Sequence, residues 1–377
     1  PTAGYYPFRS LWFEGGGGAN LEWSAEQDLP TNTDRELINY SSGTSLKAYQ
    51  SRTSVGPAVV TYTEPFRTSG NPYMPTMNFM AKIEDGDTAV DQSSIKMLLN
   101  GAELATTISK SGTNTTVTHH PTGLLPGGDH VLGIQFTAGA QSYDSSTTFT
   151  IRTIADVPPS LALPASEVNT SLRGFVMWGS QRDGGLDNNT YPRELHINGL
   201  FGYPNIMDLS MFTGPQGTYV DEFVINYQGE DIVANPDAGY FSSISPAAAP
   251  YGDVPMPGIP GTTASTDNYT LEILTVLELQ AGLHAMNVNS DDGFRMTIGN
   301  PDEYSTFPVT AGEFDGGRGA GGGVNDGTTF YFNIQQAGLY PVRMLYYEGG
   351  GGSSIEWSSR GPIDLQTGAL GATAILI

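Results

Sequence analysis

Apolar and polar residues alternate with a period of two along much of this chain, the mark of β-strands, while amphipathic helical periodicity is scarce. In residues 55–155 short alternating runs follow one another at the spacing of a β-sandwich: 58–62, 76–83, 95–99, 115–119, 130–137 and 147–153. Turn-forming clusters separate them, including Asp85-Gly86-Asp87, Asn100-Gly101 and the stretches 111–114 and 126–129. This rhythm predicts a sandwich of about seven strands. Its core would hold Phe79, Ile83, Ile95, Met97, Leu99, Val117, Val131, Ile134, Phe136, Phe149 and Ile151. A second series of strands is predicted at 271–279, 284–289, 294–298, 328–334, 340–347 and 354–358. Between the two series the chain reads as loop-rich. Residues 155–164, ADVPPSLALP, look like a stiff Pro-rich connector. Residues 193–196 could open a short helix, and 245–268 form a long irregular loop of the kind that is often functional.

One pattern occurs twice. Residues 6–23 read YPFRSLWFEGGGGANLEW, and residues 340–357 read YPVRMLYYEGGGGSSIEW. Tyr6 matches Tyr340, Arg9 matches Arg343, Glu14 matches Glu348 and Glu22-Trp23 matches Glu356-Trp357, all at an offset of 334 (340 − 6). In each copy a strand with apolar groups on both faces leads into a glycine turn and a return strand. A lone hairpin is marginal in water, so each copy must dock on further strands. A long-period repeat of this kind predicts a tandem array. The pattern divides the chain into residues 1–54, the closing strands of a preceding domain; 55–156, a separate sandwich; and 157–377, a complete larger sandwich. The expected fold class is all-β, antiparallel sandwiches in tandem.

Charge removes several functions. The 377 residues hold 39 acidic and 16 basic side chains, a net charge of −23. Nucleic acid needs basic patches and is a poor partner, as is an anionic membrane surface. Excess carboxylate fits a solvated acidic surface, repulsion between neighbouring copies or divalent-cation binding. Cysteine is absent, so no disulfide framework exists. No run of 18 apolar residues is present, and no membrane span is expected. The first residue is Pro1 rather than Met, which reads as processing or as a length of something longer.

Two stretches carry resemblances. SSIKMLLNGAELATTISKSGTNTTVTHHPTGLLPGGDHVLGIQFTAGA, together with the closing TTFTIRT, resembles a bacterial Ig-like domain over residues 55–155. That likeness implies a spacer or surface-presentation module. GLHAMNVNSDDGFRMTIG (282–299) and AGLYPVRMLYYEGGGGSSIEW (337–357) resemble the protective-antigen-type domain, also called the PA-fourteen domain. The match is best over 271–360, and residues 4–49 match only the end of such a domain. This resemblance implies an antiparallel β-sandwich found in adhesins, in modules attached to glycosidases and in toxins. In its sugar-binding members an Asp-Asp pair joined by a cis peptide holds Ca²⁺, which chelates sugar hydroxyls.

Asp291-Asp292-Gly293 is therefore the sharpest local signal. Adjacent carboxylates at a strand corner offer hard oxygen ligands suited to Ca²⁺. The same residues equally suit a β-turn in which Asp caps backbone N–H groups before Gly. Asn289, Asn325 and Asp326 are oxygen-bearing candidates in nearby stretches. The glycine-rich run 315–323 lacks the Gly-Lys-Ser/Thr ending of a phosphate loop and reads as a flexible loop beside that corner. Glu14, Glu22, Glu348 and Glu356 could suggest a glycosidase pair. Their place in a repeated motif assigns them to architecture, with Arg9 and Arg343 as cross-strand partners. The adjacent His119 and His120 point to opposite faces of a strand, which is poor metal geometry. No Ser/His/Asp arrangement with a nucleophile elbow is present.

The expectation is a non-enzymatic extracellular or cell-surface protein, structural or adhesive, of bacterial type. Its partners would be neighbouring copies of itself and glycans. The alternatives are a Ca²⁺-dependent carbohydrate-binding adhesin module and an accessory region of a secreted glycosidase.

Overall fold

A computed structural model describes residues 10, 12, 19–26, 35–39, 46–49, 56–66, 72–181, 205–207, 219–229, 239–241, 252–259, 265–299, 308–365 and 368–377. The chain separates into two compact units, Pro1–Ile151 and Arg152–Ile377. Among the described residues the regular structure is β, apart from two single 3-10 turns. No helix there is long and apolar enough to cross a membrane.

In the first unit β1 (Ser24–Glu26) and β2 (Arg35–Leu37) form an antiparallel pair. The sandwich that follows is built from β3 (Val59–Glu64), β4 (Phe79–Glu84), β5 (Val90–Leu99), β6 (Ala102–Glu103), β7 (Thr107–Ser111), β8 (Asn114–His119), β9 (Gly128–Ala138) and β10 (Gln141–Ile151). Its sheets run β3-β4-β8-β7 and β10-β9-β5-β6. They share one core in which Phe79, Ile83 and Val117 meet Met97, Ile134, Phe136 and Phe149. Val131, expected in this core, is 43% exposed. Strand parity explains the difference: Leu132, Ile134 and Phe136 face inward along β9, which turns Val131 outward. Leu99 packs only partly buried at the margin.

The second unit contains β11 (Ala155–Val157), β12 (Phe175–Gln181), β13 (Tyr219–Asp221), β14 (Asn226–Gln228), β15 (Val254–Pro255), β16 (Tyr269–Leu279), β17 (Gly282–Asp291), β18 (Gly293–Ile298), β19 (Val309–Phe314), β20 (Thr328–Ile334), β21 (Gly338–Glu348), β22 (Ser354–Ile363) and β23 (Leu370–Leu376). One sheet runs β11-β20-β17-β22-β14-β15, with β23 also on β22. The other runs β13-β12-β16-β21-β18-β19. The shared core joins Val288, Phe332, Ile355 and Trp357 from the first sheet to Phe175, Tyr269, Phe294, Met344 and Tyr346 from the second.

Two stretches read as loops carry more order than their sequence suggests. Ala155–Val157, inside the expected connector, pairs in parallel with Phe332, Asn333 and Ile334, and Val157 is fully buried. Within 245–268, Val254 and Pro255 pair with β14, and Met256 enters the core. Proline can occupy a sheet edge, and β15 is an edge strand. The possible helix at 193–196 lies outside the described residues.

The repeated motif has two settings. Trp357 is completely buried on β22, whereas its counterpart Trp23 is 50% exposed. Most of the first copy, including Arg9, Glu14 and Gly15 to Gly18, falls outside the described residues.

The larger sandwich brings two chain crossings to one end. β17 leaves the first sheet at Asp291 and the chain re-enters the second sheet as β18. β21 leaves the second sheet at Glu348 and returns to the first as β22. These strands are neighbours in both sheets: Asp291 pairs with Ser354, and Gly293 pairs with Tyr347. The two crossings therefore lie side by side.

Candidate functional site

That juxtaposition places three carboxylates together. Asp291, Asp292 and Glu348 each offer an oxygen, and these oxygens lie within 4.8 Å of one another. Asp291 is half-buried, Asp292 is buried, and Glu348 has no exposed surface. The Asp291–Asp292 peptide is cis. Gly293 follows because the next side chain has no room: a Cβ there would stand 2.3 Å from the Tyr347 hydroxyl oxygen.

The three acids differ in their bonding. Asp292 Oδ1 accepts the Arg318 backbone N–H at 2.8 Å, and Oδ2 accepts the Gly349 N–H at 2.9 Å. Ser290 Oγ donates to the Asp292 carbonyl at 2.8 Å. The Tyr346 hydroxyl donates to the Asp291 carbonyl. Glu348 is the exception, because neither buried carboxylate oxygen meets a donor at hydrogen-bonding geometry. Burial pushes its carboxyl up to about 10, with the charges of Asp292 and Asp291 acting in the same direction. The neighbouring Gly350 N–H acts in the opposite direction without cancelling the rise, and Asp267 adds to it. A buried acceptor left without a donor costs about 1–3 kcal/mol, and more when charged. Glu348 thus either carries a proton or faces a cation.

The donor set suits a hard divalent cation. Ca²⁺ prefers carboxylate and carbonyl oxygens and tolerates irregular geometry, and all three side chains here are carboxylates. Asp291, Asp292 and Glu348 are the residues that would hold it. The orphaned Glu348 oxygens are the observation that fits such an ion; an Asp turn capping backbone N–H groups accounts for Asp292 alone.

The other expected ligands have different partners. Asn289 Nδ2 donates to the Gly321 carbonyl at 2.7 Å and to Glu356 Oε2 at 3.0 Å, while its Oδ1 accepts the Gly321 N–H. Asn325 Oδ1 accepts from Arg360 at 2.9 Å. Asp326 stands outside the acidic group and accepts the Gly323 N–H at 2.6 Å. Asn289 and Asp326 thereby fasten the glycine-rich stretch, which the sequence suggested was a flexible loop. Gly316 is also held through both of its backbone polar groups: its N–H donates to the Tyr347 hydroxyl at 2.6 Å, and that hydroxyl donates to its carbonyl at 2.9 Å.

The repeated glutamates have separate roles. Glu356 accepts the N–H groups of Tyr240 and Phe241 as well as Asn289, so it ties a loop to β22. Arg343, expected to pair within the motif, instead forms a buried ion pair with Glu272 on β16. The cross-strand register decides this, since Glu272 faces Leu345 and Arg343 faces Leu274, which sets the two diagonally, two positions apart on one face of the sheet. Sequence reasoning placed Glu348 with the architecture and passed over it as a ligand. Its mark was the single acid directly before the glycine turn.

No family model and no curated protein matches this chain. Several solved structures are similar to parts of it. A PA14 domain of the MpAFP antifreeze protein is 16% identical, covers 54% of this chain and 86% of its own, and gives a TM-score of 0.32. The PA14 sugar-binding domain from an RTX adhesin is 17% identical, with coverages of 55% and 95% and a TM-score of 0.31. The A domain of epithelial adhesin 9 from Candida glabrata, in complex with Galb1-3GlcNAc, is 14% identical, with coverages of 58% and 93% and a TM-score of 0.33.

Proposed function

We propose that this chain is a non-enzymatic extracellular adhesive protein whose second unit binds its ligand through Ca²⁺. Asp291, Asp292 and Glu348 hold the ion, and its remaining positions accept the hydroxyls of a glycan. The observation that carries this reading is Glu348, a fully buried carboxylate with two unpartnered oxygens beside two further carboxylates. The resemblance of the Asp-Asp-Gly corner to sugar-binding protective-antigen-type domains supports the choice of ligand. The first unit acts as an Ig-like spacer in this reading. The motif repeated at an offset of 334 supports a tandem arrangement on a cell surface or fibre.

The test combines calorimetry with glycan-array binding, each in Ca²⁺ and in EDTA. The expected result is a Ca²⁺-dependent rise in Tm, glycan binding that EDTA abolishes, and loss of both in Asp292→Ala. A wild-type chain whose Tm and glycan binding ignore both Ca²⁺ and EDTA would sink the proposal.

A further inference from the structure

β17 runs past the end of its neighbour. Its pairing with β20 stops at Val288 opposite Thr328, yet β17 continues to Asp291. The Arg318 side chain takes over where β20 is missing. Its Nη2 donates to the Val288 carbonyl at 3.0 Å, and its Nε donates to the Ser290 carbonyl at 2.9 Å. Nη2 also reaches Ser290 Oγ at 2.9 Å, and Nη1 reaches Thr328 Oγ1 at 2.7 Å. The guanidinium lies 4.2 Å from the Phe314 ring centroid and 5.9 Å from that of Phe294. The backbone N–H of the same residue donates to Asp292 Oδ1.

We infer that Arg318 is the positioning residue of the cation site: its side chain clamps the last residues of β17 while its main chain aims the Asp292 carboxylate. The inference rests on the Ca²⁺ reading above. Arginine suits the task because its planar fork of donors has fixed directions, whereas a lysine ammonium is a single flexible point. Charge alone would act with the opposite sign. A guanidinium beside Asp291 and Asp292 repels an incoming cation, so removing it would tighten Ca²⁺ binding if charge were its whole contribution.

The experiment measures Ca²⁺ affinity by calorimetric titration and counts bound waters on Tb³⁺ from luminescence lifetimes in H₂O and D₂O. Arg318→Met and Arg318→Lys are compared with wild type and with Arg295→Lys. Arg295, on β18, instead pairs with Glu313 on the neighbouring edge strand β19. Both Arg318 variants are expected to weaken Ca²⁺ by at least about tenfold, as loss of a residue that orients metal ligands does. Both should also add at least one water to bound Tb³⁺, while Arg295→Lys matches wild type. Circular dichroism and Tm in EDTA identify any variant that fails to fold; if Arg318→Met does, the Lys variant carries the test. Wild-type affinity and hydration in Arg318→Lys, or tighter binding in Arg318→Met, overturn the inference and leave the Ca²⁺ site standing. A wild-type chain that binds neither Ca²⁺ nor Tb³⁺ overturns the site itself, and the inference with it.

Discussion

Asp85 and Glu348 each stand at the end of a strand in a sandwich, one in each unit, and the protein surrounds them in opposite ways. Asp85 receives the Lys110 ammonium on both oxygens, at 2.8 and 2.7 Å, and the Val90 N–H at 2.9 Å. Burial alone would raise its carboxyl, but the Lys110 and Val90 hydrogen bonds and the Lys110 charge outweigh burial and hold it below the ordinary value of 3.8. Glu348 is more deeply buried, receives no comparable donor, and has acids for neighbours. An acidic turn whose charge is answered from within the fold is structural. One whose charge is left unanswered has capacity for something from outside.

The largest expected effect tests the unanswered carboxylate. At a Ca²⁺ concentration one hundred times Kd, a single site stabilises the folded state by about 2.7 kcal/mol. For a domain of this size that is a rise of roughly 5–10 °C in Tm. Glu348→Gln should remove the rise while leaving stability in EDTA no lower, because an amide replaces a carboxyl that lacked a partner. Calorimetry in both buffers checks it; a full Ca²⁺ response in Glu348→Gln would take that residue out of the site.

Asp85→Asn should act the other way. Loss of a charge-assisted interaction costs about 1–3 kcal/mol, and the first unit should lose that stability equally in Ca²⁺ and EDTA. A Ca²⁺-dependent difference would erase the contrast between the two acids. The same variant sharpens a pH comparison. Because folded Asp85 titrates below its ordinary value, its ionised form stabilises the first unit fully above about pH 4, and this contribution is lost as pH falls through the lower folded value. Asp85→Asn should lack that part of the acid-induced loss when unfolding is followed from pH 6 to pH 2. At the bottom of the scale, Glu103→Gln breaks a pair with Lys96 whose side chains are 53% and 55% exposed. The change in urea-unfolding stability should stay within about 0.5 kcal/mol.

The all-β class and most strands of both sandwiches were legible because alternation survives wherever one face is buried. Residues 328–334 were placed to the residue. The strand at 175–181 was not, since FVMWGSQ passes from an apolar run to a polar one without alternating, and both of its faces are largely buried. Asp291 and Asp292 were legible as candidates because they are adjacent. Glu348 was not, and the reason is physical: its motif holds a second glutamate, Glu356, and only the three-dimensional course of the chain shows that one meets Asn289 and two N–H groups while the other meets two acids. Arg318 was hidden in the same way. The glycines around it suggested looseness, while the bonds that fix it come from strands distant in sequence.

The side-by-side crossings also set an order of events. Asp292 and Gly349 touch across 57 residues of chain, and neither crossing is complete until both sheets have exchanged their strands. Contacts between residues so far apart form late, after local hairpins. A growing chain therefore exposes Asp291 and Asp292 well before Glu348 exists to join them. The three carboxylates meet only in the closed sandwich, so any ion held there would report completed folding rather than guide it.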